Sequence, residues 1–311
     1  MFAGNVWPWV WFSLIVFCLL ALDLGVFHRK LHAISVKEAL IWSGVWITIA
    51  LLFNVGVYFV LGLEPAVQFF TGYLIEKSLS VDNIFIFVLI FSYFAVPAEY
   101  QHRILFWGIL GALIMRAILI GAGLALLETF HAVIYVFGAF LVFTGIRMGL
   151  QRSEDVHPEK NPALKLIRRI LPMTSEYEQG RFFVRRAGRL LATPLFVVLV
   201  VIESTDLVFA VDSIPAIFAV THDPFIVYTS NIFAILGLRS LYFVFASLVQ
   251  KFHYLKLGLA VILIFVGIKM LLADFYEIPA HFSLLAIVLV LGLTVLASLI
   301  RAKRVERPAS L

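Results

Sequence analysis

Two stretches of this sequence place acidic residues inside otherwise apolar segments. Glu76 and Asp82 are six residues apart in the first stretch, and Asp206 and Asp212 repeat that spacing in the second. A fifth acid, Glu203, lies three residues before Asp206. A carboxylate surrounded by hydrocarbon is costly, so each group must take up a proton, pair with a base or bind a cation. The chemistry open to these residues is therefore ion pairing, proton transfer or cation binding.

The polar neighbours of these acids are rich in oxygen. Ser80 and Asn83 belong to the first stretch and Ser213 to the second, and neither stretch contains Cys or His. Zn²⁺ and Cu⁺ sites favour imidazole and thiolate ligands, whereas an all-oxygen set suits Mg²⁺, Ca²⁺ or Mn²⁺. The five acids, supported by these three residues, are therefore predicted to bind a hard divalent cation.

The bases Lys77, Arg116 and Arg239 fall within apolar segments, namely the predicted spans three, four and seven. If the five acids are ionised and these bases offset three of them, the remaining charge of minus two would be balanced by one divalent cation. The alternative is that the acids only form structural ion pairs and interhelical hydrogen bonds, with the arginines orienting the carboxylates. In the same kind of segment, Tyr228 and Asn231 could line a pathway.

Helical geometry limits how these groups can meet. At about 100° per residue, Asp212 points away from Asp206, and Asp82 lies about a third of a turn from the face of Glu76. Pro215 follows the second acidic pair, and a proline inside a helix removes a backbone donor and crowds the preceding turn. We therefore predict a helix break beside Asp212, and a second break near Asp82, although no proline marks it.

The elements that must position these groups are membrane-spanning helices. The chain has 311 residues, of which 62% are hydrophobic and 14% charged, and its mean hydropathy is +1.03. A soluble domain is nearer to about 45–50% apolar and about 25% charged. Apolar runs of about 20 residues without two-residue alternation predict helices rather than β-barrel strands. Nine spans are predicted, at 7–27, 39–63, 67–95, 104–127, 131–150, 190–220, 225–249, 255–273 and 281–300.

Positive charge alternates between the connections. Lys and Arg follow spans one, three, five and seven and occupy the C-terminal tail, whereas the other connections contain neither. The chain is predicted to be a multi-pass protein of the inner (plasma) membrane, and the positive-inside rule predicts an N-terminus outside and a C-terminus in the cytoplasm. The same distribution accounts for the net charge of +5 without nucleic acid as a partner. The loop 151–189 holds nine basic residues and is predicted to form short surface helices.

Two kinds of chemistry are unsupported by the sequence. The single cysteine, Cys18, excludes an internal disulfide and a multi-cysteine metal site. No Walker-type phosphate loop is present, so ATP is not expected to be the direct energy source. No prosthetic group and no enzymatic activity are expected.

The sequence also repeats itself. Glu76-Lys-Ser-Leu-Ser-Val-Asp-Asn83 corresponds to Asp206-Leu-Val-Phe-Ala-Val-Asp-Ser213, and Phe143-Thr-Gly-Ile-Arg-Met148 to Phe265-Val-Gly-Ile-Lys-Met270. Because each unit contains three spans, the second copy must enter the membrane from the opposite side. Spans three to five and six to eight are thus predicted to form an inverted repeat with a binding site at its interface. The chain is therefore predicted to consist of an N-terminal two-helix segment (1–66), the first repeat (67–150), a basic cytoplasmic loop (151–189), the second repeat (190–273) and a final helix with a basic tail (274–311).

These motifs resemble the TerC family of integral membrane proteins, and its Alx-type members most of all. The resemblance rests on Gly72-Tyr-Leu-Ile-Glu-Lys-Ser-Leu-Ser-Val-Asp-Asn83 and on Asp206-Leu-Val-Phe-Ala-Val-Asp-Ser-Ile-Pro-Ala-Ile-Phe-Ala-Val220. It implies metal-ion efflux, chiefly Mn²⁺ export, or supply of metal to exported proteins. It would make Glu76, Asp82, Asp206 and Asp212 transport-site acids, with Glu203 as a fifth.

Three functions are weighed on this basis. The first is a secondary transporter that exports Mn²⁺, with proton exchange as a plausible driving force because a carboxylate can trade a metal for a proton. The second is an intramembrane aspartyl enzyme, although its Gly-x-Gly-Asp pattern is missing here. The third is a scaffold that handles metal without transporting it.

Overall fold

The protein is described from a computed structural model, which describes residues 7–27, 36–130, 132–150, 164, 172–174, 176–186, 189–246, 254–276 and 278–306. The helices are α1 (Trp7–Phe27), α2 (Val36–Leu61), α3 (Leu63–Tyr93), α4 (Ala98–Thr129), α5 (Val133–Leu150), α6 (Pro194–Phe218), α7 (Pro224–Leu236), α8 (Leu238–Ala246), α9 (Leu255–Leu271) and α10 (Ala280–Glu306). Strands β1 (Phe183–Arg186) and β2 (Arg189–Ala192) lie between α5 and α6. The predicted class, an all-helical polytopic membrane protein, is confirmed.

Each predicted span overlaps mainly with one of these helices, and 225–249 overlaps both α7 and α8. By length and composition alone, five of the described helices are long and apolar enough to cross a membrane, or six if the bent pair is one span. They are α2, α4, α5, α6 and α10, with α7 and α8 as the pair. The charged residues of α3 and the 17-residue length of α9 keep these two below that threshold. The count of nine crossings stays a prediction.

The bundle is built around α3, which packs against α2, α6, α7, α8 and α10. Helix α4 packs against α6 and α7, and α5 lies along α9. Two buried apolar clusters occupy different levels of the α3–α6 contact. Leu79 of α3 and Ile214 of α6 belong to one, and Phe87 of α3 and Ile202 of α6 belong to the other. On α6, Asp206 lies between the two clusters.

The predicted helix breaks beside Asp212 and Asp82 are wrong, since α6 and α3 are continuous helices at both positions. Pro215 lies in the last turn of α6, so it removes a single hydrogen bond close to the end of the helix. Residues 213–218 are all buried, and this packing holds the last turn in helical form.

A break occurs instead at Gly237, which separates α7 from α8 with a bend of 42°. Glycine is a poor helix former, costing about 1 kcal/mol relative to alanine. The absence of a side chain also matters here, because a Cβ at this position would lie 2.7 Å from Lys77 Nζ and 3.1 Å from Trp46 Cβ. The bent span therefore lets α2 and α3 approach its backbone closely.

Where the structure describes the loop 151–189, its prediction is met only in part: Glu178–Gly180 forms a short 3₁₀ helix, but the segment that follows does not form one. Strands β1 and β2 form an antiparallel hairpin in which Phe183 pairs with Ala192 and Arg186 with Arg189, so this part is not helical. Most of the other residues of the loop lie outside the described ranges. The hairpin also delays the start of α6, which was predicted at 190. Thr193 is extended because the residue before a proline avoids helical geometry, and Pro194 then occupies the first helical turn.

Candidate functional site

A single arginine links the acidic residues of α3 and α6. Arg116, from α4, donates from Nη1 to the carboxylate of Glu76. The same guanidinium donates from Nε and Nη2 to the two carboxylate oxygens of Asp206, each at 3.4 Å. All three residues are buried, with exposed fractions of 0% for Glu76, 1% for Arg116 and 4% for Asp206. A charged side chain that is buried away from water must be stabilised by neighbouring protein groups, and these three residues stabilise one another in this way.

Two amides and a hydroxyl complete the hydrogen bonding of this cluster. Asn83 donates to Asp206 at 3.3 Å, and Asn231 of α7 donates to Glu76 at 3.1 Å. Arg116 Nη1 also lies 3.3 Å from Ser213 Oγ and 3.4 Å from Asn231 Oδ1. The buried polar cluster therefore consists of residues from four helices, listed as Glu76, Asn83, Arg116, Asp206, Ser213 and Asn231.

The cluster depends on a seven-residue spacing within α3 and within α6. Asn83 follows Glu76 by seven residues, and Ser213 follows Asp206 by the same number. Seven residues are close to two helical turns, so each helix presents an acid and a small polar side chain on one face. Asn83 donates to Asp206 across the α3–α6 contact, whereas Ser213 accepts from Arg116, which also donates to Glu76. The small polar residue of each helix therefore joins the cluster through a residue of another helix.

Asp212, at the six-residue spacing, faces a different direction. It accepts a hydrogen bond at 3.3 Å from Thr144 of α5 and is partly buried. Asp212 nevertheless borders the cluster across a cavity of about 20 Å³, whose polar lining also includes Glu76, Asn83 and Ser213. A volume of about 10–15 Å³ on this scale accommodates one water molecule. The cavity is therefore a space of single-ion or single-water size between two carboxyl groups, an amide and a hydroxyl.

The other predicted site residues are placed apart from this cavity. Glu203 is half-buried and lies against α4 over Gly111, where an added Cβ would overlap its carboxylate. Lys77 donates at 3.0 Å to the carbonyl of Ala234, in the last turn of α7 beside the bend. Arg239 is buried in α8 and lines, together with Asp206, a second small cavity of about 10 Å³.

Two more predicted residues belong to α3. Ser80 is 1% exposed, and its hydroxyl has no hydrogen-bond partner among the residues that the structure describes. The side chain of Asp82 lies outside the described part of the molecule, so its predicted role stays a prediction.

The predicted convergence of all the acids on one point is not found for the four whose side chains are described. Glu76 and Asp206 meet at Arg116, Asp212 is one cavity away, and Glu203 is displaced toward Gly111. Within the described ranges, no group of three His, Cys, Asp or Glu residues is close enough to hold a metal ion. The reason is geometric: the helices are continuous, so residues six positions apart cannot share a face.

A larger polar cavity of about 460 Å³ opens at one end of the bundle, where α3 and α10 begin and α6 and α9 end. Glu64, Gln68, His222 and Lys269 contribute its polar lining. Phe218 also lines this cavity, and it follows Asp212 by six residues, about 9 Å along the helix. The large cavity thus approaches the small one along α6.

Asn231 is the member of the cluster that the sequence pattern indicated most weakly. The sequence marked it only as a residue that could line a pathway, whereas the structure places it between Glu76 and Arg116. The feature that could have identified it is the presence of an asparagine within a helix as apolar as α7, because a buried amide needs polar partners from neighbouring helices.

Comparison with known proteins covers most of the chain. Residues 61–306 match the family described as "Integral membrane protein TerC family". A protein of Myxococcus xanthus named "Uncharacterized membrane protein STKORF319" is 56% identical over 300 residues, which cover 96% of this chain and 94% of that protein. A protein of Escherichia coli (strain K12) named "Putative membrane-bound redox modulator Alx" is 48% identical over 308 residues, covering 96% and 95%. No solved structure matches the chain.

Proposed function

Because this chain belongs to the TerC family of integral membrane proteins, we propose that it is a secondary transporter that exports a divalent metal cation. Mn²⁺ is the substrate that its oxygen-rich site suits best. The proposed setting is the bacterial inner membrane, with the N-terminus outside and the C-terminus in the cytoplasm, as the alternating positive charge of the connections indicates.

The observation that carries this proposal is the cavity of about 20 Å³ bordered by Glu76, Asn83, Asp212 and Ser213. Its polar groups are two carboxyls, an amide and a hydroxyl, which are the ligands of hard divalent cations. Ionisable residues inside a membrane are expensive and mark ion pathways by default. Apolar clusters lie at two levels of the α3–α6 contact, as expected for a site closed to bulk water.

Among hard cations, the chemistry of the cavity favours Mn²⁺ over Mg²⁺. Mg²⁺ loses its water reluctantly and keeps several water ligands in proteins, which a cavity of this size would not hold. Mn²⁺ accepts carboxylate and carbonyl oxygen, and an imidazole or thiolate that would retain Zn²⁺ or Cu⁺ is missing from the polar lining. The donor set therefore suits a metal that must be bound and then released.

The route and the driving force follow from the same geometry. The cavity of about 460 Å³ at the end of the bundle would be the outer vestibule, since it lies where the predicted outer connections meet. Export from the cytoplasm would then end in this cavity. Protons are the proposed exchange partner, because the carboxyl groups that release the metal can take up a proton in its place.

The name of the Escherichia coli relative describes a redox modulator. Exchange between an internal dithiol and a disulfide needs two cysteines, and this chain has only Cys18. We propose that any redox effect of this chain comes from the movement of a redox-active metal such as Mn²⁺. The enzyme alternative is less well supported, because an aspartyl enzyme needs two aspartates at one site. Here Asp206 faces Arg116 and Asp212 faces Thr144.

The test is transport by the purified protein in liposomes. Uptake of Mn²⁺, Mg²⁺, Ca²⁺, Zn²⁺ and Fe²⁺ would be compared with and without a proton gradient. We expect Mn²⁺ flux in the wild type and a fall to the background of empty liposomes in Glu76→Gln and Asp212→Asn. Glu128→Gln, which changes an acid at the end of α4, is the control and should transport like the wild type. Flux of no divalent cation by folded wild-type protein would overturn the proposal and leave a metal-handling scaffold.

A further inference from the structure

We propose that Arg116 competes with the transported metal for Glu76. The metal displaces the guanidinium from Glu76 when it binds, and the guanidinium later returns to Glu76 and expels the metal. This inference rests on the proposed function and adds to it a residue that controls release. Arg116 would move between two hydrogen-bonding arrangements, one shared between Glu76 and Asp206 and one confined to Asp206.

The contacts of Arg116 are suited to such an exchange. Its Nη1 bonds to Glu76, while Nε and Nη2 face the two oxygens of Asp206 in a fork. Loss of Glu76 would therefore leave the two-point contact with Asp206 in place. Forked contacts between arginine and a carboxylate are strong and directional. Asp206 thus offers the guanidinium a two-point contact, 3.4 Å for each pair in the present arrangement, to which it could move fully when Glu76 is exchanged.

Glu76 is also the acid that both cations can reach. One side of it receives Arg116, and the other borders the small cavity that contains Asp212, Asn83 and Ser213 in its lining. A divalent ion in that cavity would lie close to the guanidinium, and Glu76 would be the carboxylate between the two cations. Like charges at such short range repel strongly in a buried site, where water does not screen them. The repulsion would drive Arg116 from Glu76 toward Asp206.

Charge balance indicates which cations can make the exchange. Among the groups that contact Arg116 or line the small cavity, Glu76, Asp206 and Asp212 carry three negative charges when ionised, and Arg116 offsets one of them permanently because its guanidinium does not lose its proton. The remaining charge of minus two is neutralised by a divalent cation and only half neutralised by a monovalent one. A buried site retains little uncompensated charge, so this arrangement selects divalent cations. When the metal leaves, Glu76 takes Arg116 back.

The experiment compares metal binding and metal turnover in Arg116→Gln. Mn²⁺ affinity is measured on the purified protein by the electron paramagnetic resonance signal of free Mn²⁺, and turnover is measured in liposomes. Removal of the competitor should tighten Mn²⁺ binding about ten-fold or more, as expected for a typical coupling between two ligands. It should also slow turnover, because Glu76 then has no cation to replace the metal. Arg103→Gln, at an exposed position of the same helix, should leave both values unchanged.

Two further variants keep the test decisive if Arg116→Gln does not fold. Arg116→Lys retains the charge but lacks the fork, so it should release the metal more slowly than the wild type. The double variant Arg116→Gln/Asp206→Asn removes the buried pair together, and it should still bind Mn²⁺ more tightly than the wild type.

The outcomes separate this inference from the proposed function. Wild-type protein that neither binds nor transports a divalent cation would refute the proposed function itself. Wild-type transport combined with weaker or equal Mn²⁺ binding in the folded arginine variants would refute only the competition, and Arg116 would then be a structural counter-ion.

Discussion

Gly138 of α5 and Gly267 of α9 meet backbone to backbone, so that a Cβ added to Gly267 would lie 2.7 Å from the carbonyl oxygen of Gly138. Seven residues along α5, a Cβ on Gly145 would lie 2.8 Å from the carbonyl oxygen of Ala260. An offset of 122 residues relates Gly145 to Gly267 and also relates Gly138 to Ala260. The two contacts are therefore images of each other under the predicted inverted repeat, with its axis between α5 and α9.

Alanine at Gly267 should destabilise the protein by about 1–3 kcal/mol, the usual cost of overpacking a close contact. Two of the three nearest atoms are backbone atoms, of Gly138 and Val142, which cannot yield as a flexible side chain can; the third is Cγ2 of Val142. Thermal or denaturant unfolding in detergent would measure the change. Gly121→Ala is the control, because no atom lies within 4 Å of an added Cβ there and alanine is the better helix former. Equal stability of the two variants would contradict the close packing of α5 and α9.

Lys77 should stabilise the bent span by binding the last turn of α7. Its Nζ lies 3.0 Å from the carbonyl oxygen of Ala234, and Lys77→Met would leave that carbonyl without this partner. We expect a loss of about 1–3 kcal/mol, as for other hydrogen bonds to charged groups. Unfolding in detergent is again the measurement, with the exposed Lys37→Met as the matched control. If both variants unfold like the wild type, Lys77 does not support the bend.

Asn231 should be important for transport because it contacts both Glu76 and Arg116. Asn231→Leu keeps the approximate volume but removes the donor to Glu76 at 3.1 Å and the acceptor near Arg116 at 3.4 Å. Because both partners are charged, we expect a reduction in Mn²⁺ flux of about ten-fold or more in liposomes. Ser230→Ala is the control, since this buried hydroxyl bonds to the carbonyl of Val227 within its own helix. A flux in Asn231→Leu that equals that of the control would place Asn231 outside the transport site.

Ionisation of Tyr177 should lower the stability of the protein as the pH rises into the alkaline range. Its hydroxyl donates to the carbonyl of Phe94 at 2.5 Å, and burial raises the pKa of Tyr177 above its usual value of 10.0. A raised pKa in the folded state means that folding favours the protonated form, so this contribution is complete below pH 10 and is lost as pH rises through the folded pKa.

Tyr177→Phe should therefore lower stability by about 1 kcal/mol at neutral pH and weaken the decline above pH 10. Unfolding of both proteins between pH 7 and pH 12 would measure the two effects. Parallel pH profiles for the two proteins would show that Tyr177 does not carry the alkaline decline.

The amino-acid sequence by itself determined the membrane class, the approximate position of the helices and most of the residues in the buried cluster. Hydrophobic runs fix helices because an unpaired backbone cannot remain in hydrocarbon, and acids within such runs are visible without any structure. Glu76, Asp206, Arg116, Asn83 and Ser213 were all recognisable in this way. The β-hairpin at 183–192 was missed, since its short arginine-rich strands carry a charge pattern that also suits a surface helix.

Only the tertiary structure decided which of these residues face one another. The spacing of six between the acids was the conspicuous pattern, but continuous helices bring together residues seven apart, so Asn83 and Ser213 join the cluster while Asp212 turns toward Thr144. The sequence likewise predicted a break beside Asp212 because of Pro215, whereas packing keeps that turn helical and the bend lies at Gly237. Local spacing sets the direction of a side chain on its own helix, but the partner it meets depends on how distant helices pack.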